Sequence, residues 1–293
     1  MGPMKRDYFY EVDKRGGVTL NGQLQDDPWF LDVLYRRLAP SANTQMLGYP
    51  YVSRCGDEMN YLKAEDTPVV FTWFDGRRLG YAGTLSLPFN AEHLSFSSDG
   101  VLYHAAPVGV RGRCSPNVAV EISQAIVPWG PWYALQDEDG FEHVIAPSSP
   151  EDSYRLLRPR TENHCIGCGA GNPSSLKLSF LHDLRNSTVN TWLSPSHRLQ
   201  GAMGTVHGGM VSLLLDEIMG KALSVQSIKA PTAKIEVNFR RPMHIGMRYH
   251  CWSLLEGTHG RKHDVRGAIV NQQGEVIADG RGLFVSPRKG SDE

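Results

Sequence analysis

Hydrophobic positions change rhythm along the 293 residues, and the change divides the chain in two. In the second half Leu176, Leu178 and Phe180 alternate with polar neighbours, as do Val189 and Thr191. That period of two predicts two strands. One long apolar helix follows, from Gly208 to about Leu223. Four more strand-like runs come after it: Thr232–Arg241, Arg248–Glu256, Lys262–Asn271 and Glu275–Val285. The last two are joined by a hairpin turn at Asn271-Gln272-Gln273-Gly274. One buried helix wrapped by an antiparallel sheet of about six strands is a hotdog arrangement, placed at residues 155–288.

The first half mixes short strands with one good helix. Asp26-Asp27-Pro28 precedes Trp29, Phe30, Val33, Leu34 and Leu38, which is a capped helix start with an amphipathic stripe. Pro68–Phe74, Leu79–Leu85 and Gly100–His104 read as strands, with turns at Asp75-Gly76 and Asp99-Gly100. Val118–Ile126 fits a second short helix. The pattern is α+β without βαβ alternation, and residues 1–150 form a separate α+β domain. The boundary falls in a proline-rich break from Pro128 to Arg160, with Ala146–Ser153 a loop.

Composition changes this picture little. The chain is 41% hydrophobic and 21% charged with a formal net charge of −1, so no overall field draws it to nucleic acid or an anionic membrane. No apolar run reaches the roughly 18–20 residues of a membrane span, and the first residues lack the apolar core of a secretion signal. Five scattered cysteines do not form a disulfide framework. A reducing, cytoplasmic setting is the simplest expectation.

The candidate chemistry stands at the start of the long helix, in Gly204-Thr205-Val206-His207-Gly208-Gly209. Two glycines permit close approach of a substrate, and the first N–H groups of a helix point outward with partial positive charge. Such a site can hold the oxyanion of a thioester carbonyl. Further along, Asp216 sits among aliphatic residues on nearly all sides, which predicts burial and use as a base. Gly209 and Asp216 are seven apart and share a helix face. Gly208 and Asp216 are eight apart, roughly 12 Å along the axis. Donor and base must both lie about 3 Å from the reacting atoms. One chain cannot easily supply both, so the geometry predicts a dimer in which Gly208 of one subunit faces Asp216 of the other.

Gly-x-x-His-Gly-Gly with an aspartate nine residues after the histidine resembles the PaaI-type acyl-CoA thioesterases. Arg240-Arg241-Pro242-Met243-His244-Ile245-Gly246 is similar to their RP…G strand end, and His164–Pro173 to the cysteine-glycine opening of one bacterial branch. The resemblance implies a hotdog dimer or tetramer hydrolysing an acyl-CoA or similar thioester, without a cofactor. It makes His207 and Gly208 the carbonyl-binding positions, Asp216 the general base or nucleophile, and Thr232 the residue that positions water. Relatives commonly carry asparagine six before the histidine, where this chain has Gly201, with Gln200 next door as a substitute. Gly209 completes the substrate loop. Glu217, turned some 100° from Asp216, is read first as structural and kept as a substrate-side candidate. Arg240, Arg241, Arg261 and Lys262 lie near strand ends, where they serve either CoA phosphates or a solvated edge.

Other signals are weaker. Cys165-x-x-Cys168 invites a zinc reading, but a closed site needs four ligands and there is no second CxxC, so no metal is expected. Residues 5 to about 130 resemble an uncharacterised domain-of-unknown-function family of mitochondrial and bacterial proteins, through Arg6–Tyr10, Arg54–Asn60, Asp66–Phe71 and Leu102–His104. That resemblance supplies no activity, and Cys55, Glu58, Asp66 and His104 read as core and turn residues. Three functions therefore stand open: thioester hydrolysis, a non-catalytic thioester-binding module, and an N-terminal interaction protein dimerised by its hotdog half.

Overall fold

The computed structural model describes residues 6–41, 48–149 and 152–288. Met1–Lys5 of the N-terminal stretch, and Pro150 and Glu151 of the expected loop, lie outside them. The chain forms two compact units. Residues up to 126, with 145–149, make the first. Residues 127–144 and the chain from 150 onward make the second. A single cut at 150 would assign 127–144 to the first half, whereas their contacts group them with the second. The proline-rich break is also more ordered than its composition implies. It contains strands at Ile126–Trp129, Trp132–Gln136 and Glu142–Pro147. Prolines stand at strand ends or edges there, where no ladder N–H is required.

The first unit has two sheets and two short helices. One sheet has the order Gln23–Gln25, Val18–Leu20, Arg6–Val12, Glu58–Ala64, Tyr51–Cys55 and Leu38–Pro40. Its Arg6–Val12 and Glu58–Ala64 pair is parallel. In the other, six strands run in the order Leu94–Phe96, Leu102–Ala105, Arg111–Cys114, Val70–Phe74, Arg78–Tyr81 and Leu85–Pro88, and Leu94–Phe96 also pairs, in parallel, with Ala146 and Pro147. The expected strand Leu79–Leu85 is thus split in two, with Ala82 in the left-handed region (φ 50°) at the turn. Helix Pro28–Arg36 starts as the sequence predicts, with the Asp27 side chain accepting from Trp29 N. The second helix, Pro116–Ser123, begins two residues before its expected start, capped by Ser115. Leu34, Leu62, Phe71, Leu79 and Ile122 fill the core.

The second unit is a seven-stranded antiparallel sheet around one helix. Its order is Tyr154–Leu157, Phe180–Asp183, Thr188–Leu193, Tyr249–His259, Lys262–Asn271, Val276–Val285 and Thr232–Phe239. Tyr154–Leu157 is the strand that hydrophobic periodicity did not mark. The central helix, Gly208–Ser224, buries Val211, Leu214, Leu215, Ile218, Met219, Ala222 and Leu223. Those positions recur at three- and four-residue spacing, so one face carries the core. The strands make room for it with glycine: a Cβ at Gly267 would meet Met219 Cγ at 3.2 Å, and one at Gly282 would meet Met219 Sδ at 3.4 Å. A buried hydrogen bond from Ser253 Oγ to Ile218 O (2.7 Å) ties sheet to helix.

Candidate active site

The glycine loop is held by the segment carrying Arg241-Pro242. Val206 N donates to Met243 O at 2.8 Å and Ile245 N to Gly204 O at 3.0 Å, while His207 N donates to Leu199 O at 2.8 Å. Gly204 (φ 74°) and Gly246 (φ 76°) turn the two segments where a side chain would be strained. The loop then delivers His207 as the N-cap of the central helix. Its Nδ1 accepts from Gly209 N at 2.9 Å, which places the proton of a neutral ring on Nε2. Gly209 N–H is thereby used. Gly208 N–H has no hydrogen-bond partner among the described residues and points out of an exposed helix start.

Asp216 lies two turns along. Its Oδ1 accepts from Thr232 Oγ1 at 2.7 Å, across from the helix to the edge strand. Here the sequence reading is corrected: Asp216 is half-buried in the single chain, not enclosed. Ser212, Leu213, Asp216 and Gly220 share a helix face that the sheet, wrapping the opposite one, leaves open, with Glu217 beside it under the cysteine turn. An all-round aliphatic composition does not reveal which face a sheet covers.

Glu217 has a definite setting. Its Oε2 is 3.2 Å from Cys165 Sγ, and its Oε1 is 3.4 Å from Lys221 Nζ. Lys221 Nζ also donates to Cys168 Sγ at 3.0 Å. Burial pushes the Cys168 thiol up to about 12, its hydrogen bond to Glu217 adds to this, and Lys221 acts against it. Sequence reasoning missed Lys221 as a site residue, although its i,i+4 spacing from Glu217 was readable. Cys165, Cys168, Asp216, Glu217, Lys221 and Thr232 all line one open cavity of about 330 Å³.

The remaining candidates are placed apart from this cavity. Gln200 Oε1 accepts from Gly204 N at 3.3 Å, so its amide braces the loop. Arg240 pairs with Asp279 at 2.6 Å, Arg241 lies 3.4 Å from Glu275, and Arg261 donates to Ser286 O at 2.9 Å. Lys262 is exposed at the start of its strand. In the first unit, Cys55 and Glu58 stand opposite each other in one hairpin. Asp66 binds Arg113 (2.7 Å) and Tyr103 (2.9 Å). His104, its imidazole pulled down by burial, accepts from Asn90 N and meets Ala105 O. These are three separate hydrogen-bonding settings.

Two stretches of the chain match known families. Residues 203–278 match the family model of the thioesterase superfamily, and residues 1–131 match a domain of unknown function, DUF4505. The second unit therefore contains the stretch that matches the thioesterase superfamily, in a hotdog-type fold, and the first contains most of the stretch that matches the domain of unknown function. Among solved structures, a thioesterase-superfamily protein is 26% identical, with a TM-score of 0.37, over 39% of this chain and 57% of that one. The match thus spans little more than half of that protein. The PaaI protein of E. coli, from the phenylacetic acid degradation operon, is 20% identical over 33% of this chain and 75% of that one, with a TM-score of 0.33. A Streptococcus mutans protein solved with acetyl-CoA is 18% identical over 34% and 82%, also at 0.33. No helix among the described residues is long and apolar enough to cross a membrane.

Proposed function

We propose that the second unit hydrolyses an acyl-CoA or a related acyl thioester to free acid and thiol. The observation that carries this is the carboxylate of Asp216, oriented by Thr232 at 2.7 Å on an uncovered helix face. The unpartnered Gly208 N–H at the start of the same helix supplies the second requirement, a donor for an oxyanion. The match to the thioesterase superfamily supports the reaction class.

In this reading the thioester carbonyl points at Gly208 N–H. Asp216 takes a proton from water while the water oxygen bonds to the carbonyl carbon, and the C–S bond then breaks as the thiolate leaves and is protonated. Direct attack by Asp216 would instead give an anhydride that water opens. Both routes need Asp216 and Gly208 within reach of one substrate. Eight residues of helix separate them by roughly 12 Å, so the two groups come from different copies of the chain. Two exposed features suit such a dimer: the helix face carrying Asp216, and the edge strand Thr232–Phe239, whose Phe239 is 58% exposed. Uncovered edges of this length are normally protected by pairing or cover.

A second reading, a thioester-binding module without turnover, draws on Gly201. A Cβ there would meet His207 Cα at 2.8 Å, so the asparagine of relatives does not fit this loop as it stands. The test is thiol release from short, long and aromatic acyl-CoAs. Release from one class establishes the hydrolase. Binding without release from any of them supports the module.

A further inference from the structure

The cysteine turn before the hotdog strands packs against the central helix beside the Asp216 cavity. Cys165 Sγ, Cys168 Sγ and a carboxylate oxygen of Glu217 lie within 4.8 Å of one another. The turn is built to present sulfur. Gly167 N–H donates to Cys165 Sγ at 3.3 Å, and Asn163 Nδ2 donates to Cys168 Sγ at 3.2 Å. Glycine is required at its centre, since a Cβ at Gly167 would meet the Glu217 carboxylate at 2.7 Å and one at Gly169 would meet Asn163 O at 2.4 Å. The small residue at 167 is what lets a carboxylate 52 positions from Cys165 reach its sulfur.

We infer that this cluster is a zinc site whose protein ligands are Cys165 Sγ, Cys168 Sγ and Glu217 Oε2. Two sulfurs at ~2.3 Å and an oxygen at ~2.1 Å from one tetrahedral ion stand roughly 3.5 Å apart, close to the 3.2 Å between Cys165 Sγ and Glu217 Oε2. Thiolate donors select zinc over the hard cations, and a bound metal ion deprotonates its thiols. The two carboxylate oxygens divide the work. Oε2 faces the sulfurs, and Oε1 faces Lys221, which also donates to Cys168 Sγ. Lys221 is therefore an outer partner of the ion, and its charge completes neutrality for two thiolates, one carboxylate and a divalent cation. A zinc–sulfur turn needs four ligands only when it is closed. Here the fourth position opens on the cavity that holds Asp216 and Thr232. The inference stands whether or not the chain turns over thioesters.

The test uses the full chain, purified under reducing conditions, stripped of metal and titrated with zinc or with cobalt(II) as a spectroscopic probe. One zinc bound per chain and a sulfur-to-cobalt charge-transfer band are expected. Cys165→Ser and Cys168→Ser abolish both, while Cys55→Ser leaves them unchanged. Glu217→Gln and Lys221→Met, checked for folding by circular dichroism, weaken binding about tenfold or more. The wild-type measurement decides even where a variant fails to fold. Absence of the band at excess cobalt, or reduced, metal-free protein that takes up no zinc, overturns the inference.

Discussion

Thr232 Oγ1 donates to Asp216 Oδ1 at 2.7 Å, so the last strand of the sheet orients a carboxylate on the uncovered face of the helix. A hydrogen bond to a charged acceptor contributes about 1.5–3 kcal/mol. Thr232→Val removes the bond while keeping the shape. Its kcat is expected to fall about tenfold to a hundredfold, with KM little changed, and Thr232→Ser should restore most of the loss. Steady-state kinetics on the best substrate check this. A fully active Thr232→Val would show that Asp216 needs no such partner.

His250 gives the second unit a pH-dependent stability. Burial holds its imidazole down to about 4, stacked on Trp192 at 4.6 Å and 2.9 Å from Asn190 Oδ1. The unfolded chain keeps the ordinary value near 6.5. Above that pH the ring is neutral in both states and its contribution is fully present. As pH falls from about 6.5 towards 4, the unfolded chain takes up a proton that the folded chain refuses, and stability drops by up to about 3 kcal/mol. Urea unfolding between pH 7 and pH 4.5 should show this slope in wild type and a shallower one in His250→Gln. Equal slopes would contradict the assignment.

Contacts group the segment 127–144 with the second unit, and an ion pair shows why it cannot be cut away. Glu142 bonds Arg248, with side chains only 8% and 13% exposed. Burial pushes the Glu142 carboxyl up, and Arg248 and the Ser194 N–H pull it back. Removing one partner of such a pair costs about 3–5 kcal/mol, because the other charge stays buried and uncompensated. A fragment starting at residue 155 should therefore unfold at markedly lower denaturant than one starting at 127, and Arg248→Met in the full chain should lose a similar amount. Equal midpoints for the two fragments would place the segment outside the cooperative unit.

Gly201 tests the loop. Its missing side chain leaves room for His207 Cα at 2.8 Å from where a Cβ would be, and its N–H donates to Thr205 O. Gly201→Ala should displace the His207 cap, costing roughly 1–3 kcal/mol of stability and lowering kcat/KM. Thermal unfolding and kinetics measure both, and an unchanged variant would show that the loop yields freely.

Much of this was legible in the chain. The period-two runs and the Gly-Gly helix start pointed to the hotdog order, because turn chemistry and periodicity are local, although the strand expected at Leu176–Phe180 begins only at Phe180. The resemblance carried by His207-Gly208-Gly209 and Asp216 pointed to the loop and carboxylate that the structure places on one helix. Three features were not legible, each because it depends on packing between distant residues. The half-buried setting of Asp216 follows from which helix face the sheet wraps. Glu142 and Arg248 meet across 106 positions. Cys165 and Glu217 meet only because Gly167 has no side chain.

The role of Asp216 is tested most directly by comparing wild type with Asp216→Asn, side by side, in thiol release from the acyl-CoA that wild type turns over fastest. Loss of the Asp216 carboxylate should lower kcat by about a hundredfold to ten-thousandfold, the range for loss of a positioned base, with substrate binding by thermal shift retained. A variant that releases thiol at the wild-type rate would contradict the role of Asp216 and, with it, the proposed site.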